Sequence, residues 1–120
     1  MKYIENVPIY FQIANDIKEN LVSGKLSEGE KLSSIREYSL QYEVTNLTIQ
    51  RAMQQLELEG IIISKKGIGS FIVEGSKEVV RKNMIEMQVK EFVERMSNMG
   101  IDKEEIIDII KKELDANNEE

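Results

Sequence analysis

A change of residue pattern at Gly60 constrains the fold of this 120-residue chain more than any other feature. Residues 44–60 (VTNLTIQRAMQQLELEG) carry apolar side chains at helical spacing, and Gly60 is the residue type that commonly ends a helix. The predicted buried stripe of this helix consists of Ile49, Ala52, Met53 and Leu56. Residues 61–74 (IIISKKGIGSFIVE) place β-branched runs on both sides of a glycine-bearing turn, which predicts a β-hairpin. We therefore expect a mainly α fold with one small hairpin.

Two more helices are predicted before residue 44. Pro8 suits a first helical turn, and apolar residues then recur at helical spacing until Gly24 follows as a stop signal. The second helix begins with a capping box, in which the side chains of Ser34 and Glu37 each accept a hydrogen bond from the other residue's backbone amide. This helix ends near Tyr42. Its predicted inward residues are Ile35, Tyr38 and Ser39.

The third helix has a polar first turn that a fully buried helix would not need. Thr45 is a good N-cap. The polar residues of this turn are Thr45, Asn46, Thr48 and Gln50. Two short helices about three residues apart, the second with a polar start, form the outline of a helix-turn-helix. Two core helices of a small bundle fit the same residues equally well.

The hairpin favours the first of these interpretations. Lys65 and Lys66 lie beside its turn, residues 66–69. A helix-turn-helix followed by a hairpin with a basic tip is typical of a winged helix, in which the third helix enters the major groove of duplex DNA. The hairpin, or wing, then lies along the neighbouring backbone or minor groove.

The charge balance argues against nucleic acid as the binding partner. The chain has 16 basic and 22 acidic residues, for a net charge of −6. The acidic excess is larger in the tail, because residues 1–75 hold 8 Lys or Arg against 10 Asp or Glu, whereas residues 76–120 hold 8 against 12. The first part is therefore close to neutral and can still carry a local basic patch.

Missing residue types exclude several function classes. The chain contains neither Cys nor His, so disulfides and thiolate ligands are excluded, a zinc site is not expected, and the commonest general base is absent. It has no apolar run of the length of a membrane span or signal peptide. We expect a cytoplasmic protein that is not an enzyme and binds no cofactor or metal. The carboxylates of Glu104, Glu105 and Asp108 fit a solvated helix face.

Residues 8–73 resemble the winged helix-turn-helix of the GntR family of bacterial transcription regulators. The resemblance rests on short motifs that occur in the family's order and at its spacing. They are Pro8-Ile-Tyr-x-Gln12-Ile, Gly24-x-Leu26, Gly29-x-x-Leu32, Ser34-x-Arg36-Glu37, Val44-Thr45-x-x-Thr48-Ile49, Leu56-x-x-Glu59-Gly60 and Gly67-x-Gly69-Ser70-Phe71. Where members of the family often have Pro before Ser-x-Arg-Glu, this chain has Ser33.

The resemblance implies DNA-binding roles for residues at matching positions. Arg36 matches an Arg that holds a phosphate and can reach a base. Thr45 and Thr48 match polar positions at the head of the recognition helix, and Lys66 and Gly67 match the wing tip. The predicted DNA-binding residues are Arg36, Thr45, Asn46, Thr48, Gln50, Arg51, Lys65, Lys66 and Gly67.

Two arginines that are common in the family are replaced in this chain. Members often have Arg and Asn where this chain has Asn46 and Leu47, and many have Arg where it has Gln50. Because arginine forks onto guanine and the amides of Asn and Gln suit adenine, we expect richer A·T content in the bound site. Leu47 either touches a thymine methyl group or is simply an exposed leucine. Arg51 either supports phosphate binding or pairs with a nearby Glu.

Residues 76–120 are predicted to form two helices with more apolar surface, Val80 included, than a free appendage would expose. Asn98-Met-Gly100 ends the first helix, and Asp102 to Glu105 begins the second as another capping box. The predicted dimerisation residues are Met84, Met87, Phe92, Met96, Ile106 and Ile110. Alternatively, both helices fold back onto the winged domain. Short, YtrA-type members of the family share this layout, and the resemblance implies a homodimer formed by the tail.

We therefore predict a winged helix-turn-helix DNA-binding domain over residues 6–75, followed by a two-helix dimerisation tail over residues 76–120. The predicted function is a sequence-specific transcription regulator, a homodimeric repressor that binds an inverted-repeat operator in double-stranded DNA. No membrane partner is expected. The alternative is a winged-helix protein-interaction module that does not bind DNA, and the acidic net charge favours it.

Overall fold

A computed structural model describes residues 1–118. This part of the chain folds into five helices and one two-stranded antiparallel hairpin. In order they are α1 (Ile9–Ser23), α2 (Ile35–Tyr42), α3 (Asn46–Leu58), β1 (Ile62–Lys65), β2 (Gly69–Ile72), α4 (Ser76–Asn98) and α5 (Lys103–Asn118). The predicted fold class, mainly helical with a small hairpin, is confirmed. Two compact units are present, Met1–Lys82 and the residues from Asn83 onward.

Local signals set the helix ends as predicted. The Ser34 hydroxyl accepts from the Glu37 amide at 3.1 Å, and the Glu37 carboxylate accepts from the Ser34 amide at 3.0 Å, so the capping box of α2 is complete. At the end of α3, Gly60 has φ 77°, and the amide of Ile61 donates to the Leu56 carbonyl at 3.0 Å. A side chain at Gly60 would be strained, because L-residues rarely adopt positive φ.

The core of the first unit lies around α3, which packs against α1, α2 and β1. All four residues of its predicted stripe are buried, with Ile49, Ala52 and Leu56 at 0% exposure and Met53 at 9%. They face a buried stripe of α1, made of Ile13, Ala14, Ile17 and Leu21. Truncating one of the larger side chains here, such as Leu56, to Ala typically costs about 2–5 kcal/mol, so this packing holds α3 firmly in place.

The inward face of α2 differs from the prediction. Tyr38 and Tyr42 are buried, Ser39 is half-buried, and Ile35 is exposed. Ile35 is the first residue of the helix, and a helical side chain leans toward the N-terminus. Its side chain therefore extends beyond the part of α2 that faces α3.

A buried polar network fixes the N-terminal segment. The Gln12 side-chain amide accepts from the Ile4 amide at 2.9 Å and donates to the carbonyls of Ile4 at 2.9 Å and Val7 at 2.8 Å. The Tyr3 hydroxyl donates to the Tyr42 carbonyl at 2.6 Å. These bonds give Gln12, part of the motif near Pro8, a structural role.

Tyr42 links this network to α1. Its hydroxyl donates to the Asp16 carboxylate at 2.7 Å. Burial, reinforced by this hydrogen bond and by the charge of Asp16, raises the pKa of Tyr42 well above its usual value. The hydroxyl therefore stays protonated, and the bond ties the end of α2 to α1.

A third extended segment, which was not predicted from the sequence, pairs with β2 of the wing. Lys31 forms an isolated antiparallel bridge with Phe71, and the Leu32 amide donates to the Ser70 carbonyl at 2.8 Å. On the same edge, the Ile72 amide donates to the Glu30 carbonyl at 3.0 Å. The segment that precedes α2 thus closes one edge of β2, and β1 closes the other.

The helices after the wing also start and stop near the predicted residues. α4 ends at Asn98, and the Ile101 amide donates to the Met96 carbonyl at 3.1 Å across Gly100. The predicted capping box of α5 is only half formed. The Asp102 carboxylate accepts from the Glu105 amide at 2.9 Å, but Glu105 makes no return bond in the described part of the chain. The Asp102 side chain caps the N-terminal end of α5 by binding one of the backbone amides that lack a partner within the helix, and the Glu105 side chain stays in water.

No side chain from residue 81 to residue 118 is buried. Several apolar ones are half-buried, namely Met84, Phe92, Met96, Ile101 and Ile106. Others are exposed, namely Ile85, Met87, Val89, Val93, Met99, Ile107, Ile109, Ile110 and Leu114. Val80, grouped with the tail in the sequence analysis, is 4% exposed and belongs to the first compact unit.

Candidate nucleic-acid interface

The turn between α2 and α3 is short and tightly bonded. α2 ends at Tyr42, and Glu43 adopts a left-handed conformation at φ 56° and ψ 49°. The amide of Val44 donates to the Ser39 carbonyl at 3.1 Å. Because few non-glycine residues adopt this conformation, the turn at Glu43 is a specific feature of the chain. It sets the direction in which α3 starts.

The first turn of α3 is capped as predicted. The Thr45 hydroxyl accepts from the Thr48 amide at 3.3 Å and lies 3.1 Å from the Thr48 hydroxyl. Thr45 is therefore the N-cap, and Thr48 is half-buried beside it. The remaining free amides of the first turn and the helix dipole make this end attractive to a phosphate.

The exposed side of α3 carries the side chains that the sequence analysis assigned to base contacts. Asn46, Leu47, Gln50 and Arg51 are all exposed, whereas the apolar stripe of the same helix is buried. Asn46 and Gln50 can each offer a donor and an acceptor to a base edge. Both interpretations of Leu47 require exposure, so both stay open.

Arg51 makes no ion pair within residues 1–118. It lines a shallow open groove between α1 and α3 together with Tyr10, Gln54, Gln55 and Leu58. The predicted alternative of pairing with a nearby Glu is not what the structure contains. The guanidinium is therefore free to bind an anion.

Arg36 lies on the first turn of α2 and is exposed. Its neighbour Glu37 is engaged elsewhere, because the Glu37 carboxylate accepts a hydrogen bond from the Ser34 amide. Hydrogen bonds with the Ser34 amide, and then with the Ser34 side chain, hold the pKa of the Glu37 carboxyl below its usual value. In the described residues no carboxylate lies within ion-pair distance of Arg36. Its guanidinium is free for a phosphate or a base.

The wing tip carries two lysines. β1 and β2 pair in the register Ile62 with Ile72 to Lys65 with Gly69, so Lys65 ends β1 and Lys66 and Gly67 lie in the turn. Lys66 and Gly67 are exposed. The Lys65 ammonium lies 4.7 Å from the centre of the Phe71 ring, a cation–π contact that restricts its side chain.

One basic residue beside the wing escaped the sequence analysis. Lys31 is exposed and pairs with the middle of β2 through the bridge to Phe71. No local pattern could have found it, because strand pairing with residues far along the chain brings it to the wing. Its position becomes visible only once the fold is formed.

The described residues form neither a metal site nor a membrane span. Within Met1–Asn118, no group of three or more Asp or Glu side chains has the geometry to hold a metal ion. No helix in the same residues is long and apolar enough to cross a bilayer.

The fold and the exposed polar start of α3 define a winged helix-turn-helix DNA-binding protein. The chain belongs to the GntR family of bacterial regulatory proteins, because the sequence pattern of that family matches residues 9–72. Members of this family are transcriptional regulators, and the protein is accordingly a DNA-binding transcriptional regulator.

Two relatives from Bacillus subtilis (strain 168) match nearly the whole chain. YhcF, an HTH-type transcriptional regulator whose own role is uncharacterised, is 41% identical over 106 residues, which cover 87% of this chain and 88% of YhcF. The HTH-type transcriptional repressor YtrA is 32% identical over 110 residues, which cover 89% of this chain and 85% of YtrA. The predicted likeness to the short YtrA type is thus confirmed.

A solved structure is similar to this chain over nearly its whole length. A GntR family transcriptional regulator from Listeria monocytogenes superposes with a TM-score of 0.85 at 36% sequence identity, covering 92% of this chain and 98% of that chain. The similarity thus extends through the helices that follow the wing.

Proposed function

We propose that the protein is a homodimeric transcriptional repressor that acts in the cytoplasm and binds an inverted-repeat operator in duplex DNA. The observation that carries this proposal is the exposed polar first turn of α3, which is held by a buried stripe. The same unit also exposes the cations of α2 and of the wing.

The contacts divide into two kinds. Asn46 and Gln50 read base edges in the major groove, while Thr45 and the free amides beside it hold a phosphate. Arg36 and Arg51 bind phosphates on either side of α3, and Lys65, Lys66 and Gly67 bring the wing against the backbone. Phosphate contacts fix the register of the protein, and base contacts select the sequence.

The dimer is inferred from the second unit. Residues 83–118 bury no apolar side chain of their own, and they expose or half-expose a long series of Ile, Met, Val and Phe residues. Soluble monomers rarely leave such a surface uncovered. A second copy of the same two helices offers a matching apolar face through a twofold, isologous interface. Met84, Met87, Phe92, Met96, Ile106 and Ile110 are the proposed contact residues.

Twofold symmetry sets the form of the operator. Two recognition helices related by a dyad read two half-sites of opposite orientation, separated by about one helical turn or somewhat more. Repression is proposed because the similar protein YtrA is a repressor. Binding at such a site would block access to the DNA that it covers.

Selection of bound duplexes from a random pool tests the proposal. We expect recovered sequences to share an inverted repeat, with A·T-rich positions where Asn46 and Gln50 read adenine. Recovery of a single unrepeated motif would contradict the dimer. Recovery of no enriched sequence, even at low salt, would contradict specific DNA binding.

A second candidate function is a winged-helix module that binds a protein partner and not DNA. The net charge of −6 favours it, because such a charge repels the phosphate backbone at long range. The same selection experiment separates the two candidates, since this module would enrich no duplex under any salt condition.

A further inference from the structure

Lys31 occupies a defined place on the outer face of the wing. It lies opposite Phe71, and residues that lie opposite each other in antiparallel strands project to the same face. On the other edge of β2, Ile63 lies opposite Phe71 and Lys65 lies opposite Gly69. Lys31 and Lys65 thus flank β2 from its two sides and project to one face.

Gly69 creates the space for the Lys31 side chain. A Cβ at Gly69 would lie only 2.7 Å from Cε of Lys31 and 3.7 Å from its Cδ, so any other residue would displace the lysine. Gly69 also has φ 143°, a conformation that L side chains rarely adopt. The Lys31 stem therefore crosses the backbone of Gly69 toward the wing tip, while Lys65 lies over Phe71.

These lysines have no acidic partner in the described part of the chain. Lys31, Lys65 and Lys66 form no ion pair there. The charge of Lys31 does act on Glu37, a carboxyl group in the first turn of α2. The pKa of Glu37 is lowered first by the bonds from Ser34 and then, to a smaller extent, by Lys31. Like charges gathered on one small surface repel each other, and an anion bound among them removes that repulsion.

We propose that Lys31 is a third phosphate-binding cation of the wing, positioned by Gly69 and acting with Lys65 and Lys66 on the backbone of duplex DNA. The proposal rests on the proposed DNA-binding function. It assigns a further role to Gly69, beside the φ of 143° that already favours glycine there. Because a phosphate contact carries no base information, Lys31 should contribute equally to every duplex sequence.

The test measures affinity for two duplexes, one taken from the random-pool selection and one of random sequence. Fluorescence anisotropy with the full-length protein at about 50–200 mM salt gives both the affinity and its salt dependence. Lys31→Met keeps most of the stem and removes the charge. Lys31→Arg keeps the charge. Lys25→Met removes the same charge from another exposed lysine, which precedes the segment paired with β2.

We expect Lys31→Met to weaken binding to both duplexes by the same factor, about fivefold to tenfold, and to make the slope of log affinity against log salt less negative by about 0.9 per subunit. Lys31→Arg and Lys25→Met should leave the slope close to that of the unsubstituted protein. Gly69→Ala should also weaken binding to both duplexes, because it displaces the Lys31 stem and strains the wing backbone at φ 143°.

Three results would overturn the inference. An unchanged slope in Lys31→Met would show that Lys31 touches no phosphate, including the case in which affinity falls because the wing has lost thermal stability. A loss confined to the selected duplex would make Lys31 a base-reading residue. If the unsubstituted protein binds neither duplex at low salt, the DNA-binding function itself fails and this inference with it.

Discussion

Thr45 has one observed role and one proposed role. Its hydroxyl caps α3 by accepting from the Thr48 amide at 3.3 Å, and its exposed position is where the proposed function puts a phosphate. A cap stabilises the folded protein by about 1 kcal/mol, whereas a phosphate contact contributes only to the complex. Substitutions that keep one role and remove the other can therefore separate folding from binding.

Thr45→Asp separates the two roles. Aspartate is an N-cap at least as good as threonine, and its charge suits the positive end of the helix dipole, so the free energy of unfolding should stay the same or rise by about 0.5 kcal/mol. Its carboxylate would face the DNA phosphate, and like charges brought together at an interface cost several kcal/mol. Operator affinity should fall by about two orders of magnitude or more in anisotropy titrations.

Thr45→Ser is the matched control, since it keeps the cap and adds no charge. Its unfolding curve in urea and its operator affinity should both stay near those of the original protein. Normal operator affinity in Thr45→Asp would show that no phosphate approaches the start of α3, and the proposed orientation on DNA would be wrong.

At the residue scale, the sequence predicted what local chemistry determines. The Thr45 cap, the Ser34–Glu37 box and the buried stripe of α3 follow from residue type and spacing over a few positions. Lys31 beside the wing and Gln12 on the N-terminal segment could not be predicted in the same way. Their roles depend on backbone groups that only the folded chain brings close.

At the scale of whole elements, α4 and α5 stand apart from the first three helices. α1 to α3 each have a buried stripe, whereas α5 has no buried residue and α4 buries only Ser76 and Val80, both in its first turns. Helix periodicity and stop signals predicted both helices well. Periodicity identifies an apolar face but does not identify the surface that covers it. For the apolar face of α4 and α5, the proposed cover is a second copy of the chain.

Charge placed in the proposed interface should dissociate the dimer. Met87→Glu and Phe92→Glu each put a carboxylate where the partner subunit would bury it without a counter-ion, which costs several kcal/mol of association. Sedimentation should show a monomer, while circular dichroism should still show the original helix content. Operator affinity should drop by orders of magnitude because only one half-site is held at a time.

Ser97→Glu adds the same charge to an exposed position on the opposite side of α4 and should remain a dimer. If Met87→Glu and Phe92→Glu also remain dimers with normal affinity, the interface lies elsewhere. If they unfold while Ser97→Glu does not, the tail is part of the folding core of a single chain.

At the scale of the whole molecule, the proposed DNA binding and the proposed pairing belong to different units. The first turns of α4 belong with the winged unit, since Val80 is buried and the Lys77 amide donates to the Glu28 carboxylate at 3.1 Å. The boundary predicted from the sequence, after residue 75, cuts between Glu28 and the residues of α4 that these contacts join to the winged unit. A truncation that respects them ends at Lys82.

A chain that ends at Lys82 should fold and stay monomeric. It retains the α1–α3 core, the wing and the Glu28 contact, so circular dichroism should show a cooperative unfolding transition. Without the second copy it loses avidity, and its operator affinity should be about 10²- to 10⁴-fold weaker than that of the full chain. Ending the chain at Gly75 should give a less stable product, because it removes Val80. Full affinity in the Lys82 truncation would contradict the division of labour.

The salt dependence of operator binding tests the central claim most directly. If a dimer neutralises about three to four phosphates per subunit, log affinity should fall against log salt with a slope of roughly −6 to −7. Sedimentation of the same complex should give two chains per duplex. A slope near zero, no binding at low salt, or one chain per duplex at saturation would contradict a dimeric winged-helix regulator that grips DNA through α3 and the wing.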